Sequence, residues 1–211
     1  MTDQKPKLQI IFPSPVYNEK RDSNLTPREE KGIGRIVKEG MNENFGNFTS
    51  NNRYIFKDDK LKKIKQFCEQ QLKIYVEKVI NPAEELDFYI TQSWLNITKP
   101  GGYHHEHFHA NSIISGVFYI STVEDDKIEF KDPNSKVKTM LHFQPREYNI
   151  WNSATWALPV NTNELILFPS YIDHQVKVNE KATTDRISLS FNTFARGIWG
   201  RRKDATELIL K

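Results

Sequence analysis

The chain of 211 residues has a single cysteine, Cys68, so it can form neither an intrachain disulfide nor a thiolate zinc site. Cys68 falls among helix-spaced apolar residues and reads as a buried core thiol. No run of 18 apolar residues exists, which excludes an ordinary membrane-spanning helix. The opening "MTDQKPKLQIIFPSPVY" has no apolar stretch long enough for a secretory leader, so a soluble, cytoplasmic protein is the expectation. The Asn-x-Ser/Thr sites at Asn24, Asn47 and Asn96 are then incidental. Blocks of like charge are missing too. The 30 Lys+Arg and 27 Asp+Glu are interspersed and leave a net charge of +3, so no nucleic-acid partner is implied and no membrane partner is expected. Neither internal repeats nor low-complexity tracts occur. With 37% hydrophobic and 12% aromatic residues the chain can nevertheless build a core, and its length suits one compact unit.

Two helices are predicted before residue 87. Thr26, Pro27 and Glu29 have the form of a capping box with proline at the first helical position, and Ile33, Ile36, Val37 and Met41 continue it to about Met41. "NENFGNFTSNNRYIF", rich in Asn and Gly, reads as a loop. A second helix starts at Asp58 or Asp59 and stops at Asn81 and Pro82. Its face of Leu61, Ile64, Phe67, Cys68, Leu72, Tyr75, Val76 and Val79 is suited to covering a sheet. From Asp87 the period changes to two, with Phe88, Ile90, Gln92, Trp94 and Asn96 on one face of the first strand and Tyr89, Thr91, Ser93 and Leu95 on the other. "SIISGVFYIS", "KIEF", "NELILFPS", "HQVKV" and "DRISLSFNTF" follow as short strands without intervening helices, the pattern of an antiparallel sandwich or barrel. The chain thus divides into an extended segment with helices over 1–86, a mostly β core over 87–196 and a tail over 197–211, in one structural domain. The tail "GIWGRRKDATELILK" fits either a docked arm or a loose terminus.

Four of the six histidines lie within the six residues "HHEHFH", directly before a strand-like segment. On an extended chain His105, His107 and His109 share one side, while His104 and Glu106 face the other. Two imidazoles at i and i+2 can converge on one metal ion, and His174 in "FPSYIDHQVKV" is the candidate third ligand. Three donors on one side of an ion leave the other side open, as catalytic non-heme iron requires. Arg186, twelve residues beyond His174, is placed on a strand expected to pair with that of His174. Its planar fork suits a carboxylate whose molecule reaches the metal with its other end.

The run "SWLNITKPGGYHHEHFHANSIISGVFYI…IEFKDP…LILFPSYIDHQVKV…RISLSFN" resembles the 2-oxoglutarate-Fe(II) oxygenase family of bacteria and their viruses, within the prolyl-hydroxylase-like superfamily. The resemblance covers about Tyr89 to Phe194, and "FPSPVY" resembles the family's opening segment. It implies a double-stranded β-helix, a cupin-like jelly roll, packed by the amino-terminal helices. It also implies Fe(II) and 2-oxoglutarate as cofactor and cosubstrate, dioxygen, and a small-molecule or peptide substrate hydroxylated with release of succinate and CO2. A virus-encoded origin in a bacterial host and a homodimer are both left open. Carried over residue by residue, the resemblance makes His107 the first ligand, His174 the distal histidine and Arg186 the holder of the far carboxylate. Ser188 and Tyr119 would assist Arg186, and Asn96 would line the cosubstrate pocket.

One departure stands out. Where the superfamily usually has Asp or Glu two residues after the first histidine, this chain has His109. The expected ligand set is therefore His107, His109 and His174, with Asp173, Glu106 or a His105–His107 pair as alternatives. Trp94, Trp151 and Trp156 are candidate pocket walls, and "QPREYNIWNSATWALPV" is a candidate substrate-contacting connection. Competing functions on the same residues are a cupin-like metal enzyme working without a keto acid and a non-catalytic jelly roll.

Overall fold

Thr26 opens the first helix, α1 (Pro27–Glu39), by a reciprocal cap: its side chain accepts from the Glu29 backbone N–H, and the Glu29 carboxylate accepts from the Thr26 N–H at 2.7 Å. The other Glu29 oxygen is held by buried Arg21 at 2.8 Å, which ties the helix start to the strand before it. These features belong to a computed structural model that describes residues 11, 13–135 and 144–211. Most of the amino-terminal opening, with Phe12 of "FPSPVY", lies outside the described residues.

The second helix, α2 (Lys62–Tyr75), follows a short turn capped by Asp58, whose side chain accepts from the Lys60 N–H. It runs on into a wider turn, Val76–Ile80, that Asn81 ends in the left-handed conformation. Among the described residues twelve strands make two antiparallel sheets. They are β1 (Tyr17–Lys20), β2 (Met41–Asn44), β3 (Asn47–Ser50), β4 (Asp87–Thr98), β5 (His104–His107), β6 (Ile114–Ser121), β7 (Lys127–Lys131), β8 (Thr155–Pro159), β9 (Glu164–Pro169), β10 (His174–Val176), β11 (Arg186–Trp199) and β12 (Leu208–Leu210). The larger sheet runs β1-β9-β6-β11-β4-β3-β2, with β12 paired to the end of β11, and the smaller runs β5-β10-β7-β8.

Strands β6 and β9 of the larger sheet divide their side chains between two apolar layers. Leu95, Phe118, Leu165, Leu189 and Phe191 meet Ile36, Ile64, Cys68, Leu72 and Tyr75 of the helices on one face. Val117, Tyr119, Ile166 and Phe168 meet Ile128 and Phe130 of the smaller sheet on the other. Helices on one face of a two-sheet jelly roll make this a mostly β, double-stranded β-helix, as the resemblance implied.

Four expectations need correction. The first helix ends at Glu39, not Met41, because Gly40 leaves helical geometry and Met41 starts β2. The segment read as a loop is a hairpin, β2–β3, turned at Phe45 and Gly46 and paired onto β4 through Phe48 and Thr49. Its buried positions, Asn47, Thr49 and Ser50, are polar, so no apolar alternation marked it. On β4 the alternation breaks. Asn192 of β11 faces Gln92 and Thr193 faces Ile90, so Thr91 is an extra, bulged residue. Phe88 and Ile90 consequently join the helix-side core with Leu95, while Trp94 and Asn96 face the interior between the sheets. Finally, β11 does not pair with β10: Arg186 and His174 lie on different sheets. The tail folds back on itself, with Leu208–Leu210 paired to Gly197–Trp199 at the end of β11, and Trp199 packs against Phe88 of β4.

Gly116 of β6 lies under the Phe191 ring, which a Cβ there would strike, whereas a Cβ on Gly34 of α1 meets nothing within 4 Å. Gly116→Ala is expected to destabilise the fold by about 1–3 kcal/mol through overpacking. Gly34→Ala should stabilise it by up to about 1 kcal/mol through helix propensity. Urea denaturation of the two variants would check both signs.

Candidate metal centre

The register between β5 and β10 sets His107 directly opposite His174. Val176 is opposite His104, so three steps on β5 match two on β10, and β5 carries a bulged residue. The bulge undoes the expected alternation. His104 turns into the interior beside His107, with ring centroids 4.5 Å apart, while His105 packs edge-on against Phe45. Glu106 does face outward, where it pairs with Lys131 at 2.7 Å.

Two imidazoles are oriented by backbone carbonyls. The His107 Nδ1 lies 2.8 Å from the His105 carbonyl and the His174 Nδ1 3.0 Å from that of Ile172, so both rings carry the Nδ1 proton and present a bare Nε2. His109 follows β5, anchored by its N–H to the Ser170 carbonyl at 2.9 Å. Its ring stacks between Trp94 and His174, and its Nε2 is 3.3 Å from the His174 Nε2. One nitrogen each from His107, His109 and His174 falls within 4.8 Å of the others, so the three could hold one ion. His104, His105 and His107 form a second such group, which keeps the His105–His107 pairing in geometric reach. Among the described residues neither Asp173 nor Glu106 joins either group.

Burial favours the neutral form of His104, His107, His109 and His174, the form that binds metal. It pulls His109 down to about 4, with the neighbouring His107 adding to the shift against a hydrogen bond that the ring donates to Asn192. His104 is taken down to about 2 by burial and then by His107 and His105. His107 is also lowered by burial, and His174 lies well below its ordinary value for the same reason.

The facing wall comes from the larger sheet. Trp94, Asn96, Tyr119, Arg186, Ser188 and Ser190 line the same pocket as the four histidines. Arg186 is 5% exposed, its guanidinium carbon 5.0 Å from the Tyr119 ring centre, and its Nε donates to both oxygens of buried Asp126 at 2.9 Å. The Tyr119 hydroxyl is fully buried and has no hydrogen-bond partner among the described residues, and burial raises its pKa. The Asn96 amide contacts the Ser190 hydroxyl at 2.8 Å, and its outer atom is likewise without a partner. Buried, unmatched polar atoms beside an arginine are what a carboxylate ligand would satisfy, so these residues fit 2-oxoglutarate as the histidines fit Fe(II).

All seven expected site residues therefore face one pocket. Trp94 joins them, while Trp151 and Trp156 are exposed and do not line it. Sequence reasoning missed His104, hidden by the bulge, and Asp126, which nothing distinguishes from its neighbours in "VEDDK".

Residues 92–192 match the family model described as "Putative 2OG-Fe(II) oxygenase". The match spans just under half of the chain and indicates a 2-oxoglutarate/Fe(II)-dependent oxygenase. The oxygenase is similar in structure to the carbocyclase SnoK of nogalamycin biosynthesis, described as non-heme and alpha-ketoglutarate-dependent (TM-score 0.60, 10% identity, covering 85% of this chain and 79% of that one). It is also similar to a Pseudomonas putida prolyl-4-hydroxylase (0.55, 13%, 87% and 94%). A third likeness is to HygX from Streptomyces hygroscopicus with nickel, 2-oxoglutarate and hygromycin B bound (0.53, 9%, 85% and 82%). No curated protein sequence matches the oxygenase. No helix among its described residues is long and apolar enough to cross a membrane. Fe(II) and 2-oxoglutarate are its cofactor and cosubstrate.

The lowered histidine values have a signed consequence. The unfolded chain takes up protons below the ordinary histidine value of about 6.5, whereas His109 in the folded state refuses one until about 4. Stability of the metal-free protein should therefore fall as the pH drops through that window. An NMR titration of the imidazole protons should show His109 still neutral at a pH of about 5.5, where an unshifted histidine is mostly charged.

Proposed function

We propose that the oxygenase hydroxylates a C–H bond of a peptide, amino acid or other small substrate with release of succinate and CO2. His107, His109 and His174 would hold the iron, and Arg186, Tyr119, Ser188 and Asn96 the cosubstrate. The observation that carries this reading is the convergence of three neutral imidazole nitrogens from the smaller sheet with Arg186 and the unpartnered Tyr119 hydroxyl of the larger one, in one pocket.

Bound Fe(II) supplies the redox chemistry that couples decarboxylation of 2-oxoglutarate to oxidation of the substrate by dioxygen. The chain's own residues supply orientation. The Ile172 and His105 carbonyls fix the His174 and His107 rings, and Trp94 and Phe168 brace His109 and His174 by stacking and edge contact. Arg186 offers its terminal nitrogens to the far carboxylate, to which the Tyr119 hydroxyl adds a donor. Ser190 can donate to the Asn96 oxygen equally well, which turns the amide over and presents its NH2 to the pocket. Val117, Ile128 and Phe168 keep the surroundings dry.

The substrate side is marked by exposed aromatics next to the ligands in the chain: Phe108 lies between His107 and His109, and Tyr171 lies three residues before His174. Both are among the most exposed large apolar side chains, at 59% and 63%. Peptide or ring-bearing substrates are in keeping with the prolyl-4-hydroxylase and the hygromycin-bound HygX that share the fold.

With Fe(II), 2-oxoglutarate and air the purified protein should release succinate, slowly without its prime substrate, and an anaerobic control should release none. Arg186→Met is expected to lower kcat/KM for 2-oxoglutarate by about 2–5 kcal/mol in activation terms, because the carboxylate and Asp126 both lose their partner. A metal enzyme working without a keto acid would make no succinate in either protein.

A further inference from the structure

Asp126 is a strongly engaged residue beside the pocket that the proposed chemistry leaves without a role. Its carboxylate is buried, its side chain 2% exposed, and both oxygens accept from the Arg186 Nε at 2.9 Å. Among the described residues Arg186 is the only hydrogen-bond donor to that carboxylate. The Asp126 backbone is fixed from two sides: its N–H donates to the Val123 carbonyl at 3.3 Å, and its carbonyl accepts from the Val160 N–H at 3.0 Å. It is a rigid acceptor aimed at one atom.

The alternatives open to Arg186 show why that matters. The residue starts β11 and stands between the metal-side pocket and a larger outer groove that it also lines. That groove carries Asp125, Glu129 and Glu180, any of which could draw a guanidinium outward, and a four-torsion side chain is otherwise free to follow. Capture at Nε occupies one side of the guanidinium and leaves the end-on edge, with its two terminal nitrogens, outside that pairing and beside Tyr119. That is the edge that takes a carboxylate bidentately.

We propose that Asp126 is a positioning residue for the cosubstrate: by holding the Arg186 Nε it aims the guanidinium fork into the metal-side pocket and so sets the affinity for the far carboxylate of 2-oxoglutarate. This rests on the functional reading above. The neutral Arg186–Asp126 pair also suits a pocket whose three proposed ligands are uncharged imidazoles.

Calorimetry of 2-oxoglutarate binding to the Mn(II)-loaded, catalytically silent protein tests the inference without relying on turnover. Asp126→Ala should weaken binding about tenfold, the scale of one charge-assisted hydrogen bond, and leave Mn(II) affinity unchanged. Asp126→Asn, which keeps an acceptor for Nε, should bind within about threefold of wild type. In an Arg186→Met background the same Asp126→Ala change should alter 2-oxoglutarate affinity less than about twofold, because its effect passes through the arginine. Should Asp126→Ala not fold, Asp126→Ser decides. Its hydroxyl is too short to reach Nε, and the same tenfold loss is expected. A loss below about threefold in the folded variant, or an equal loss in the Arg186→Met background, overturns the inference while leaving the functional reading intact. Wild-type protein that takes up Mn(II) but no 2-oxoglutarate overturns both.

Discussion

The pairing of β5 with β10, which puts His107 across from His174, is the constraint on which the site depends. Neither strand has a strong apolar pattern, and β10 is only three residues long. What fixes them is the neighbourhood: β10 is clamped between β5 and β7, and His174 packs against Phe130 and Phe168 of the core between the sheets. A shift by one residue would turn His107 outward and replace it with a neighbour of different chemistry. Backbone carbonyls then finish what the register begins by fixing two of the rings. The metal-binding face is thus set mostly by main-chain geometry, and the packing of the phenylalanines keeps it dry.

A second sheet is needed for the other half. Arg186, Ser188 and Ser190 alternate along β11, with Asn96 on β4 and Tyr119 on β6, its two neighbours. All point toward the smaller sheet, while Leu189 and Phe191 between them point to the helices. The helices therefore act on the site indirectly. By burying the odd-numbered side chains of β11 they commit the even-numbered ones to the interior, where polar groups are tolerated only if a partner, protein or ligand, completes them.

The "SIISGVFYIS" and "NELILFPS" strands were legible because they are buried on both faces and flanked by turn residues, and the Thr26 cap because its chemistry is local. Residues whose placement depends on a bulge were not. Simple alternation put His104 outside and grouped Phe88 with Trp94, and one extra residue in β5 and another in β4 reversed both. Such bulges depend on a partner strand far away in sequence, so no local pattern announces them. The β2–β3 hairpin escaped for a different reason: it is held by backbone pairing to β4 and buries polar groups, so composition suggested only a loop. Asp126 needed the three-dimensional fold, since only its distance to Arg186 separates it from Asp125, which pairs with Lys181 in solvent.

Charge links the departure at His109 to the buried Arg186–Asp126 pair. Replacing a ligating carboxylate with His109 removes one negative charge from the metal side, and setting Asp126 behind Arg186 adds one on the cosubstrate side. In the proposed complex a doubly positive ion and a doubly negative keto acid meet among neutral imidazoles and a neutral ion pair, so the closed pocket carries no net charge. With a carboxylate ligand in place of His109 and Asp126 retained, the same pocket would bury an uncompensated negative charge, which a low-dielectric interior strongly disfavours. The histidine where an acid is usual and the buried aspartate behind Arg186 are then two parts of one electrostatic solution, on the metal side and the cosubstrate side of the same pocket.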